Sequence, residues 1–228
     1  MYFNWKIGYM KKIIVSLAVC CVIATGCYDD YTMDYEYTGV YSAYQYDLRT
    51  FVVGEGMKFD FTVALGGVVE NVRDRAVEVT TDDALLSADL STFSESEGTP
   101  SFTALDGLKG MGRLGALSQS YVSDAFADVK EIVPLPSSCY ELTGLDGLTI
   151  CKGRHTASVT VHATDEILSD PKAFGPCYAL GFRIVNADAD VLVKEKSFEV
   201  IAVKCENRFY GNWYHGGRTV VRSDATGE

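Results

Sequence analysis

Residues 57–65, MKFDFTVAL, alternate without a break. Met57, Phe59, Phe61, Val63 and Leu65 fall on one side, and Lys58, Asp60 and Thr62 on the other. Side chains of a strand point to opposite faces in turn, so this stretch predicts an antiparallel strand with one dry and one wet face. Residues 155–163, HTASVTVHA, repeat the pattern, with Ala157, Val159 and Val161 inward and Thr156, Ser158, Thr160 and His162 outward. Two such strands need a second apolar layer to cover their dry faces, as a sandwich provides.

Further strands are predicted at 40–46, 49–53, 76–81, 147–151, 178–185 and 198–205, with another running through Tyr140 and Leu142. Gly54-Glu55-Gly56, Gly66-Gly67, Asp146-Gly147 and Lys152-Gly153 supply turns, with Gly153 read as the hairpin residue after the strand that ends at 151. One segment reads as helical: in residues 118–133, Val122, Phe126 and Val129 lie at helical spacing, and Pro134 follows as a stop. Residues 91–117 are rich in Ser, Thr and Gly and read as a long exposed loop. The expected fold is all-β, a sandwich of about seven strands with one short helix.

The N-terminus has a different character. Lys11 and Lys12 precede the apolar run IIVSLAVCCVIATG at 13–26, which ends in small residues just before Cys27. A helical membrane span needs roughly 20 apolar residues, and this run has 14. Charge, short apolar core and small residues are the layout of a cleaved secretory signal. Ala24-Thr25-Gly26-Cys27 resembles the lipobox of bacterial lipoproteins, which implies cleavage before Cys27 and lipid on its thiol. The acids Asp29 and Asp30 resemble the export tag of Bacteroidetes-type surface lipoproteins. The expected organisation is a signal at 1–26, an acidic tether at 27–38 and a sandwich at 39–205. Residues 206–228 would open a second domain that is cut short.

The chain has formal net charge −11; removing residues 1–26 takes away Lys6, Lys11 and Lys12 and leaves 17 basic against 31 acidic residues, or −14. Such a surface repels phosphate backbones and excludes a nucleic-acid partner. Cys139, Cys151, Cys177 and Cys205 remain beyond the signal. They could pair as two disulfides in three ways. Their place in strand-like runs favours buried thiols. No zinc spacing occurs among them.

Residues 51–86, LPSSCYEL at 135–142, LTICKGRHTASVTV at 148–161 and YALGFRIVNAD at 178–188 together resemble one family. It is the immunoglobulin-like N-terminal domain, labelled only as a domain of unknown function, of Bacteroidetes surface lipoproteins. NRFYGNWYHGG, 207–217, is similar to the start of the domain that often follows. Cys151 departs from the family pattern, which has a small residue or Pro there, and the 87–117 loop is longer than usual. The resemblance implies an outer-membrane, cell-surface location through the anchor at Cys27. It also implies a place beside uptake proteins of starch-utilisation-type loci, as an auxiliary carbohydrate-binding or spacer component. The alternatives are an adhesin or fimbrial-type subunit and the accessory module of a truncated glycosidase.

Nothing in the sequence frames a nucleophile. GxSxG and DxxDxDxE are absent, and no two carboxylates are set together, so the expectation is a non-enzyme without cofactor or metal. His155 and His162, seven apart, fall on opposite faces of one strand. Asn186, Asp188 and Asp190 alternate as in a calcium loop, but Val193 occupies the position that needs Gly, and a hairpin turn is the better reading. Sugar-stacking candidates are Tyr41, Tyr44, Tyr46, Tyr121, Tyr210, Trp213 and Tyr214. Ordinary strand packing explains Tyr41 to Tyr46. Trp213 and Tyr214, with Tyr210 beside them in a Gly-flanked segment, are the expected ligand-binding residues.

Overall fold

The computed structural model describes residues 34–110 and 116–209, with Gly216. The strands are β1 (Gly39–Ser42), β2 (Tyr46–Val53), β3 (Lys58–Gly66), β4 (Arg75–Thr81), β5 (Val133–Pro134), β6 (Tyr140–Thr143), β7 (Thr149–Ile150), β8 (Thr156–Ala163), β9 (Tyr178–Ala187), β10 (Val191–Leu192) and β11 (Phe198–Asn207). Two α-helices, α1 (Ala104–Gly110) and α2 (Ala116–Phe126), lie between β4 and β5.

The strands form two sheets, one in the order β10-β1-β3-β8-β6 and the other β2-β11-β9-β4-β7, with β5 beside β9. They pack face to face as an immunoglobulin-like sandwich. Between them lie the dry faces that the alternation predicts, Phe59, Phe61, Val63 and Leu65 of β3 and Val159 and Val161 of β8. Opposite stand Val79, Phe182, Ile184, Ile201 and Val203. Phe61 and Phe182 stack across the gap with ring centroids 4.6 Å apart.

A second apolar cluster covers part of the outer face of the second sheet. Leu85, Leu86, Leu90, Ala104, Leu108, Val122 and Phe126 pack there onto Ala179, Phe198, Val200 and Ala202. β11 is therefore buried on both faces over Phe198–Cys205. That is why it reads as an apolar run while β3 alternates.

Four expectations are corrected. The 91–117 segment is not an exposed loop: it carries α1, and Leu108 and Ala104 are fully buried. The second sheet offers an apolar outer face, and these few apolar residues cover it. The helix expected over 118–133 ends at Phe126. Ala127 and Val129 donate to carbonyls three residues back, which tightens the chain out of the α-helix. Pro134 then sits in a short parallel strand against Ala179. The strand expected over 40–46 is broken at Ala43–Gln45, because β1 belongs to one sheet and β2 to the other. Gly153 (φ +76°) makes no hairpin: β7 and β8 lie in different sheets, and the turn carries the chain between them.

Residues 34–38, assigned from sequence to the tether, are bonded to the body. The Asp34 carboxylate accepts from the Val69 N–H (2.6 Å), and the Tyr35 N–H donates to the Gly67 carbonyl (2.8 Å). Gly67 takes φ +87°, and a Cβ there would stand 2.2 Å from the Tyr37 carbonyl oxygen, so this approach requires glycine.

Candidate functional site

Cys27, Tyr210, Trp213 and Tyr214 all lie outside the described residues. The other sequence candidates can be placed. Tyr41 is half-buried beneath Lys196, whose Nζ lies 5.4 Å from the ring centroid. Tyr46 packs edge-on against Phe198 and under Gly107, and burial pushes its hydroxyl up to about 12. Tyr121 lies under Lys204 Nζ at 4.7 Å. Tyr44 is exposed. These tyrosines occupy separate places and form no common platform.

His155 ring nitrogen Nε2 lies 3.2 Å from the Val68 carbonyl, and His162 sits seven residues further along. Asn186, Asp188 and Asp190 do not converge, and no metal-holding group of His, Cys, Asp and Glu occurs among the described residues. Nor is this stretch a simple hairpin, since β10 departs from the second sheet and pairs with β1 in the first. Asp188 pairs with Arg73 at 2.9 Å. Asp190 accepts from the Thr38 N–H (2.7 Å) and hydroxyl (2.8 Å), and these bonds hold its carboxyl below the usual range.

The four cysteines are free thiols. Cys139 and Cys205 are buried, and burial pushes the Cys205 thiol up to about 11. Cys177 is half-buried. Cys151 is exposed, contrary to the buried-thiol expectation, because it stands at the turn that leaves β7.

Three arrangements had little or no signal in the sequence. The first is a buried polar knot. Asn71, fully buried, donates its amide to the carbonyls of Cys151 (3.1 Å) and Arg154 (3.0 Å). It accepts from Arg75 Nε at 3.0 Å, and Arg75 donates again to the Asp188 carbonyl at 2.9 Å. The knot ties the loop before β4 to the crossing between sheets, satisfying a cation that burial alone would penalise. Its polar residues look like ordinary loop composition in the sequence.

The second is Glu199. It is 3% exposed, and it accepts from the Ser42 hydroxyl at 2.5 Å. Burial lifts its carboxyl to about 8, with Asp47 adding to the rise, while the Ser42 bond and Arg49 oppose it. A lone acid in the run FEVIAVKC was the available signal.

The third is a groove of about 590 Å³ on the flank of the second sheet. It runs along β4 at 76–80, the loop at 145–149 and the end of β9 at 186–188. Its side chains include Glu78, Asp146 and Asp188.

No family model matches the chain, and no curated protein does. Solved structures do. A Bacteroides ovatus protein of unknown function is 21% identical over 76% of this chain and 53% of its own, with a TM-score of 0.51. A multidomain Bacteroides ovatus protein including DUF1735 is 12% identical over 77% of this chain and 47% of its own, at 0.43. The apo form of the Calx CBD1 domain is 12% identical over 75% of this chain and 99% of its own, at 0.37. The first likeness shows the fold alone. The chain spans about half the length of the Bacteroides proteins it matches.

Proposed function

We propose that the chain is a non-catalytic lipoprotein of the bacterial outer membrane, anchored through lipid on Cys27 and exposed at the cell surface. Its sandwich serves as a spacer or auxiliary carbohydrate-binding component of a polysaccharide-utilisation system, beside outer-membrane uptake proteins.

The observation that supports this reading is the clamp on residues 34–38. Seven backbone steps separate Cys27 from Asp34, a reach of at most about 25 Å. A lipid on Cys27 would therefore hold the sandwich close to the bilayer. The similarity to Bacteroides proteins accords with the signal and lipobox read from the sequence.

Two measurements test the reading. Cys27→Ala should move the protein from the membrane fraction to the soluble fraction; a variant that stays membrane-bound removes the anchor. A glycan-panel binding assay on the full chain, beside a Trp213→Ala, Tyr214→Ala variant, separates binding from spacing. Glycan binding lost in the variant makes the segment after β11 the sugar site. No binding from a folded, monodisperse sample leaves the spacer role.

A further inference from the structure

One flank of β4 is paired by β7 only at its start. Backbone groups of β4 alternate in direction. The Ala76 carbonyl accepts from Asp188 N–H and the Asp82 N–H donates to Gly181, so even-numbered residues face β9. The Val77 N–H donates to the Leu148 carbonyl, so odd-numbered residues face the opposite flank. There β7 pairs with β4 only at Arg75 and Ala76. The chain peels away at the Asp146–Gly147 turn, where Gly147 takes φ +70°. Beyond that point no described strand pairs with the free flank at Val79 and Thr81. The groove opens along Glu78, Val79 and Thr80, and among the described residues the Thr81 carbonyl accepts only from the neighbouring Thr80 hydroxyl at 3.1 Å.

An edge of this kind offers main-chain donors and acceptors to any extended chain. β4 from Glu78 to Thr81 has room for about four residues at roughly 3.4 Å each. The side chains nearby choose among occupants. The Glu78 and Asp146 side chains are exposed, and neither carboxylate takes part in a hydrogen bond or ion pair among the described residues. Asp188 is already engaged by Arg73. Of the larger apolar residues along it, Val77, Val79 and Leu148 are buried in the core, and Leu145 is the one left partly exposed.

We propose that this groove binds an extended peptide segment of a partner protein by strand addition to β4. Small or β-branched side chains of the segment face Leu145, and lysine or arginine at alternate positions meets Glu78 and Asp146. An acidic strand is rejected by the same two carboxylates, and so is a second copy of this acidic chain unless it presents a basic segment.

The test uses the full chain and a capped hexapeptide that alternates lysine with threonine and valine. Binding is read by fluorescence anisotropy, and the contacted edge by amide hydrogen exchange. Saturable binding is expected, with exchange slowed at Val79 and Thr81. A glutamate-for-lysine peptide should bind at least tenfold more weakly. Glu78→Lys with Asp146→Lys should cost the lysine peptide about tenfold or more; both sites are exposed, and a thermal melt checks the fold. The decisive control leaves the protein unchanged: N-methylation of alternate peptide nitrogens should abolish binding in one of the two registers. Three results overturn the proposal. They are no binding at millimolar peptide, equal binding of the acidic or of both N-methylated peptides, and protection at residues other than the β4 edge.

Discussion

The Ser42 hydroxyl donates to Glu199 across 2.5 Å, and this bond joins the end of β1 in one sheet to the start of β11 in the other. The acid is buried, and its carboxyl is lifted to about 8 from an ordinary 4.5. Between those values the folded chain holds a proton that the unfolded chain has released. Stability therefore falls as pH rises through this window, on the order of 1.4 kcal/mol per unit at the steepest. Chemical denaturation at pH 5 and pH 8 should show the fall. Glu199→Gln, which keeps the shape without the charge, should flatten it and be the more stable form at pH 8. A wild-type chain equally stable at both values would contradict the assignment.

Asn71 stands at the centre of the knot that holds Arg75. Asn71→Ala would leave the Arg75 Nε donor and the Cys151 and Arg154 carbonyls without this partner inside the fold. Unmade buried hydrogen bonds cost about 1–3 kcal/mol each and more near a charge. The expected loss is about 3 kcal/mol or more, read as a lowered denaturation midpoint with an unchanged slope. A loss below about 1 kcal/mol would show that water replaces the side chain.

Gly67 tests the clamp on residues 34–38. Alanine there meets both a left-handed backbone and the Tyr37 carbonyl. Gly67→Ala should speed hydrogen exchange at the Tyr35 and Thr38 amides. Its cost should be about 1–3 kcal/mol. Gly54 also has positive φ but no neighbour within 4 Å, so Gly54→Ala should cost less.

Leu108 tests whether the helical layer is core or decoration. It is fully buried among Leu90, Val122 and Phe126. Leu108→Ala should cost about 2–5 kcal/mol. An exposed-loop residue would cost almost nothing, and thermal unfolding distinguishes the two.

The parts of the fold legible in the sequence were those with a period. The alternation of β3 and β8 specified their faces because each has one wet side. Leu90 and Leu108 were not legible, since Ala104 and Leu108, four apart, give this Ser- and Gly-rich stretch a single helical repeat, too little to reveal a buried residue. Its burial depends on the far face of a sheet assembled from distant segments. The same holds for Asn71 and Arg75, whose partners are up to 113 positions away. Of the binding candidates, Tyr46 and in part Tyr41 were distinguishable as packing residues, whereas Tyr44, read the same way, stands exposed between β1 and β2, and the open flank of β4 had no signal. A missing strand pair is a property of topology, and no residue type announces it.

β2 and β11 run parallel through eight paired positions, from Tyr46 beside Val200 to Val53 beside Asn207. The chain enters at Gly39, opposite Gly66, and leaves the sandwich at Asn207, near the other end of β3. A pull between an anchored N-terminus and a load after β11 would be directed along the strands. The β2–β11 ladder would then be sheared, with its rungs strained together and not opened one at a time. Under such a pull the eight paired positions would share the force.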